Sequence, residues 1–392
     1  MENNYETVCL CALNSIFGYE PRVASALIEN LGSASAVFEM SDADKDAVFG
    51  PYSKYRGKIV KKELDAAEAV LQRLRRDGTV FVGITSGEYP KRLKGCEDAP
   101  LGIFVRSDSP VERIFAGTEH YVAVVGTREI TPYGEQWCRD IVRTLAGSGA
   151  APCIVSGLAY GTDIIAHRTA VECGLPTIAV MATGTDTVYP GRHRGFAEHL
   201  AGLPGCALVT DYPPGTAPVA LNFIRRNRII AGLSDSVILV ESAVKGGGMI
   251  TGRLAFSYNR SVYALPGRGD DSRSQGCNHL IREGVAEIID SLDGLNVQLG
   301  LCEKGRGCGG MQGCCRIVRG DLTERYSRTL PEDKIAAMTA VLLKVRERRG
   351  IDFDGLCDAT GLPYRSVAEV VALLENDGMI SVDLLRRCSI RG

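Results

Sequence analysis

Between residues 79 and 290 short apolar runs alternate with segments of helical pattern, and this constrains the fold more than any other feature of the chain. The runs are "TVFVGI", "YVAVVG", "CIVSG", "TIAVMATG", "CALVT", "DSVILVES" and "SVYALPG". They are apolar at consecutive positions, not at alternate ones. A strand buried on both faces reads this way, whereas a strand with one wet face alternates. Most are separated by ten to twenty residues, room for a crossover helix. The expected fold is therefore α/β: a doubly wound, extended Rossmann-like parallel sheet covered on both sides.

Regions of different pattern flank this segment. Residues 1–78 read as helices, with apolar residues three and four apart in "ETVCLCALNSIF" and "PRVASALIENLG". Pro21 suits a helix start and Gly32 a helix stop. Paired helices joined by "FGYE" suggest a small helix-hairpin-helix or SAM-like domain. Its turn keeps only Gly18, so packing or partner contact is expected there before DNA binding. Residues 291–330 lose periodicity and read as a Gly- and Cys-rich linker. Residues 331–392 read as helix, turn, helix and strand, a winged helix.

The 392 residues are 45% hydrophobic and 23% charged, an ordinary globular balance. Net charge is −2, so an anion site must be a local cluster and not a whole-surface field. "MENNYETVCL" lacks the basic and apolar regions of a secretory signal, and no apolar run approaches the ~20 residues that span a bilayer. A cytoplasmic protein with no membrane partner is expected. Its fourteen cysteines then read as reduced thiols. Cys302, Cys308, Cys314 and Cys315 are separated by five, five and no residues. Structural zinc sites pair their ligands more closely, so no metal is expected.

In a doubly wound sheet, ligands bind at the carboxyl ends of the strands. Three such ends carry glycine here. "VVGTREITPYG" offers Gly126, Thr127 and Arg128, with Thr131-Pro132 as a helix cap. "VSGLAYGTD" offers Ser156, Gly157 and Gly161 ahead of a helix capped by Thr162 or Asp163. "ESAVKGGGMITG" offers Lys245 and three glycines ahead of another helix. Glycine lets backbone N–H groups approach a phosphate, and a helix N-terminus favours it. None of the three is a Walker A loop or a dinucleotide fingerprint, so no nucleotide cofactor is expected.

"NFIRRNRIIAGL" reads as a helix from about Asn222. Arg225 and Arg228 share one face, and Phe223 stands beside them for base stacking. Three arginines facing glycine loops read as a phosphate site. The competing reading pairs them with Asp211, Asp235 or Glu241. Catalytic signals are weak. His167 follows Asp163 by four residues and reads as its partner on a helix surface. No serine has a nucleophile-elbow pattern. Trp137 reads as core.

Taken together, "VAVVGTREITPYG", "VSGLAYGTDIIAHRTA", "DYPPGTAP", "FIRRNRIIAGLSDSVILVES", "KGGGMITGRLAF" and "YALPG" resemble, in order, the DNA processing protein A family (DprA, also called Smf). The likeness is close over about residues 79–290 and includes "YPKRL". It implies a single-stranded-DNA-binding protein of natural transformation and recombination. Such a protein protects incoming strands, loads the RecA recombinase, forms a homodimer and is not an enzyme. The family's pocket maps to Gly126, Thr127, Arg128, Ser156, Gly157, Phe223, Arg226, Asn227, Arg228, Lys245 and Gly246. The chain departs from the family in three places. Ile224 replaces a proline, Thr210-Asp211 replaces Ser-Glu, and Lys245-Gly246-Gly247-Gly248 replaces a serine-bearing loop.

Two other functions stay open: a nucleotide-binding or nucleotide-processing Rossmann protein, with Glu241 or Asp211 as its acid or base, and a winged-helix transcription regulator. Residues 331–392 hold nine Lys or Arg against ten Asp or Glu, which argues against strong duplex binding.

Overall fold

The computed structural model describes residues 2–301 and 330–390 except 293, 349, 384 and 385, together with Leu322 and Tyr326. Its centre is a nine-stranded sheet. In chain order the strands are β1 (Thr79–Gly83), β2 (Gly102–Arg106), β3 (Tyr121–Val125), β4 (Cys153–Ser156) and β5 (Thr177–Val180). They continue as β6 (Ala207–Thr210), β7 (Ser236–Leu239), β8 (Ser261–Ala264) and β9 (Glu287–Ile288). Their spatial order is β1-β2-β6-β5-β4-β3-β7-β8-β9.

The register explains the apolar runs. Along β3, Tyr121, Ala123 and Val125 enter one core while Val122 and Val124 enter the other. Along β7, Val237 and Leu239 enter the first and Ile238 the second. The first face is covered by helix Ala220–Leu233 through Ile229, Ile230 and Leu233. The second is covered by helices Pro132–Ala146 and Thr162–Glu172 through Ile141, Leu145 and Ile165. Burial of such side chains stabilises by roughly 25 cal/mol per Å² of apolar area.

The expectation of a purely parallel sheet needs correction. Seven strands, β6 to β9 in the spatial order, run parallel, but β2 pairs antiparallel with both β1 and β6. This edge lies where the N-terminal helices dock. Their core does not stop at residue 78: Leu10, Leu13 and Phe17 share it with Phe81, Leu101 and Phe104. Helix Pro21–Leu31 has proline in its first turn and Gly32 at its end with φ +88°, as expected. A separate cluster lies at the C-terminus, where helices Glu332–Glu347, Phe353–Thr360 and Tyr364–Asn376 pack with a small antiparallel sheet.

The chain leaves β3 for β4 on one side and returns to β7 on the other. The carboxyl ends of β3 and β7 thus flank a crevice at the point where the winding reverses, which is where ligands of such sheets bind.

Candidate nucleic-acid interface

Close packing ties the three loops together. A Cβ on Gly126 would lie 2.4 Å from Thr162 Oγ1 and 2.9 Å from the carbonyl of Glu241. Only glycine lets the β3 end touch both neighbours. Thr162 N–H donates to the Thr127 carbonyl at 3.1 Å. The caps differ in part from expectation. Thr131 does cap its helix, accepting from Gly134 N–H at 3.1 Å. Neither Thr162 nor Asp163 caps the next one: Gly161 holds that position with φ +71°, and Thr162 Oγ1 is turned toward Thr127. Buried Glu241 accepts from Thr131 N–H at 2.9 Å and from Thr131 Oγ1 at 2.5 Å.

The three arginines of helix Ala220–Leu233 have three destinations. Arg225 stacks on Tyr19 of the N-terminal helices, 3.6 Å from the ring centre. Arg226 is 3% exposed and points under the crevice, donating to the carbonyls of Gly157, at 2.6 Å, and Val180. Arg228 is 8% exposed and pairs with Asp211 at 2.5 Å, while also donating to the Asp98 carbonyl. For Arg228 the competing reading, an internal ion pair, describes the geometry. The reason is that Asp211 directly follows β6 and is itself buried, so the two charges must satisfy each other.

What remains is a cleft of about 490 Å³ at the β3–β7 switch. Of the expected residues it brings together Gly126, Thr127, Arg128, Phe223, Arg226, Asn227 and Gly246. Four others are not among its walls. The Ser156 hydroxyl is buried against the Val124 carbonyl at 2.7 Å. Gly157 supplies a carbonyl to Arg226, and a Cβ there would lie 2.1 Å from Arg226 Nη1. Arg228 is held by Asp211, and Lys245 is exposed beside the glycine loop.

The walls are completed by Tyr189 and Ser242, which the sequence reading passed over, and by Asp163, which it considered only as a helix cap and as a partner of His167. The Tyr189 ring meets Phe223 edge-on at 5.3 Å, and the Arg128 guanidinium lies 5.1 Å from the Phe223 ring centre. Tyr189 lies in the loop after β5, nine residues beyond the strand's last residue, Val180. Opposite, helix Gly247–Ser257 begins with no side-chain cap, so its first N–H groups are free of that competitor. Asn227 Nδ2 donates to the Gly247 carbonyl at 3.4 Å and ties this helix to the arginine helix.

Burial pushes the Arg226 pKa down to about 10, an effect that Asp163 opposes, so the guanidinium is charged at neutral pH. Burial raises Asp163, and Arg226 opposes that shift. His167 does not form the expected pair with Asp163. It is buried, with Nδ1 2.7 Å from Thr177 Oγ1, and burial and then Arg226 push its pKa down to about 3. The two carboxylates considered as acid or base are both engaged, Glu241 by Thr131 and Asp211 by Arg228. Trp137 packs at the edge of the core, as expected. Among the described residues no cluster of His, Cys, Asp and Glu could hold a metal ion. All ten described cysteines are free and eight are buried. Cys302, Cys308, Cys314 and Cys315 lie outside the described residues, as does most of the expected 291–330 linker.

Residues 80–300 match the family model described as DNA recombination-mediator protein A. The chain belongs to this family. A Protein Smf of Synechocystis is 36% identical over 382 residues, covering 92% of this chain and 93% of that one. The Protein Smf of Escherichia coli is 39% identical over 214 residues, about half the length of each chain, at 54% and 55%. Among solved structures, DNA processing protein A (DprA) from Streptococcus pneumoniae aligns with a TM-score of 0.60 at 28% identity, covering 75% of this chain and 95% of that one. The motif resemblance thus holds, and it places this chain among DNA-processing proteins.

Proposed function

We propose that the cleft binds the backbone of single-stranded DNA and that the chain acts as a strand-protecting recombination mediator. The observation that carries this is Arg128 stacked over Phe223 at the mouth of the cleft, opposite the uncapped start of helix Gly247–Ser257. An exposed guanidinium and a helix N-terminus both attract phosphate. Accessible aromatic rings, here the half-buried Phe223 and the exposed Tyr189, stack bases with little sequence preference. Such rings can be reached by unstacked bases of a single strand, whereas a duplex hides its base faces. Arg226 lies beneath and adds a fixed positive field without leaving its carbonyl partners. Ser156, Gly157 and Arg228 support the walls, and Lys245 adds charge at the rim.

In this reading the chain divides into the helical unit 1–78, the strand-binding unit 79–290, the linker 291–330 and the winged helix 331–392. The last is a protein-contact or regulatory unit. Its helix Tyr364–Asn376 buries Val367, Val370, Val371 and Leu374. The exposed Arg365 on that helix lies 3.4 Å from Glu369, which Lys334 also approaches at 3.2 Å, so little free positive charge faces outward. Membership of the family supports delivery of the strand to RecA by a homodimer in the cytoplasm. No described helix is long and apolar enough to cross a membrane.

A second reading, capture of a free nucleotide, is favoured by one feature: a cleft of about 490 Å³ lies within the range of small-molecule pockets. Fluorescence anisotropy separates the two. Labelled oligo-dT should bind far more tightly than duplex of equal length, and mononucleotides should not displace it. Displacement by a mononucleotide at similar concentration would favour the second reading.

A further inference from the structure

The wall formed after β4 contains a backbone conformation that its side chain disfavours. Leu158 has φ +58°, in the left-handed region. A branched side chain is strained there, and such strain persists only where the surroundings enforce it. Glycine would relieve the strain but would remove a side chain that is buried in the second core. The strained residue sits between two that matter to the cleft. Gly157 before it presents the carbonyl that receives Arg226, and Ala159 after it lines the wall.

His193 enforces the turn. Its Nδ1 lies 2.9 Å from the Leu158 carbonyl. A carbonyl only accepts, so Nδ1 carries the proton. The ring is buried and stands edge-on to Tyr160 at 5.1 Å, in the same loop. His193 also closes the segment that begins at Tyr189, the aromatic residue of the opposite wall. One imidazole therefore joins the wall after β5 to the wall after β4. Burial lowers its pKa, which keeps the ring neutral with a single N–H.

We infer that His193 is a positioning residue of the strand-binding cleft: its Nδ1–H holds the Leu158 peptide in the left-handed turn and so aims the Gly157 carbonyl at Arg226. This rests on the reading of the cleft as a single-stranded-DNA site. Without the bond the turn relaxes, the Gly157 carbonyl rotates, and Arg226 loses an anchor directly beneath the phosphates. A ring that merely filled the core would affect melting but not the affinity of folded protein.

The test uses three variants of the full chain, with oligo-dT anisotropy read well below each variant's melting temperature. His193→Asn places an amide N–H close to the Nδ1 position, whereas His193→Gln carries its amide one methylene further out. His193→Ala and His193→Gln should bind about tenfold more weakly than wild type, as expected when a buried carbonyl loses its donor, and His193→Asn should restore most of the affinity. Hydrogen exchange at residues 157–161 should quicken in the first two and not in the third. Wild-type affinity in folded His193→Gln, or equal loss in folded His193→Asn, would overturn the inference while leaving the function intact. Failure of the wild-type chain to bind oligo-dT at all would overturn both.

Discussion

Arg128 and Phe223, ninety-five positions apart in the chain, meet across the mouth of the cleft with guanidinium and ring centre 5.1 Å apart. The contact makes one surface from the loop after β3 and the first turn of helix Ala220–Leu233. A phosphate can approach the charge from the open side while a base approaches the ring.

Removing this charge should be visible in salt. Arg128→Ala should weaken oligo-dT binding and reduce the slope of log affinity against log salt by about 0.7, the value for one phosphate contact on a single strand. Arg128→Lys should keep most of the slope and lose affinity, because an ammonium lacks the planar face that stacks. Titrations at several salt concentrations check both.

Arg228 should behave differently from Arg128. Its partner Asp211 is buried, and the burial that raises the Asp211 pKa is opposed by Arg228 itself. Arg228→Ala should therefore destabilise the fold by about 3–5 kcal/mol, the range for leaving a buried charge alone. Arg228→Met with Asp211→Leu should recover much of that loss. Denaturant midpoints of the single and double variants measure it, and the salt slope of oligo-dT binding should stay as in wild type.

The buried His167 predicts a pH dependence of stability. Its folded pKa of about 3 lies below the ordinary 6.5, so the unfolded chain binds the proton more readily. Its contribution is present above pH 6.5 and is lost as pH falls toward 3. The slope approaches about 1.4 kcal/mol per pH unit from this one group. Substitution by glutamine, His167→Gln, should flatten that part of the profile in denaturant titrations, leaving the smaller share of His193.

Gly157→Ala tests the floor of the cleft. The added methyl would lie 2.1 Å from Arg226 Nη1, so Arg226 must move. Oligo-dT affinity should fall by about tenfold or more if a charge-assisted hydrogen bond is lost. A structure of the variant would show Arg226 displaced from the Gly157 carbonyl.

The main strands were legible because burial on both faces leaves consecutive apolar residues, as in β3 and β7. The antiparallel edge was not, because nothing in the composition of β1, β2 or β6 encodes pairing direction. The two-residue β9 is too short to carry a pattern. In the site, the glycine loops and the arginine cluster were visible, but the fate of each arginine was not. Arg228 is settled by Asp211, one of three acids the sequence offered as partners without choosing among them, and Arg225 by Tyr19, which only the folded chain brings near. Spacing also misassigned His167, since its partner Thr177 lies on the neighbouring strand and not on its own helix. Tyr189 carried no charge, glycine or repeat to mark it.

The most direct test of the account is to locate the strand on the protein. Oligo-dT bound to the full chain would be photocrosslinked with ultraviolet light and the modified peptides identified by mass spectrometry. The account predicts crosslinks at Tyr189 and Phe223, abolished together with binding when Arg128 and Phe223 are both replaced by alanine. Crosslinks confined to residues 1–78 or 331–392, unaffected by that replacement, would contradict it.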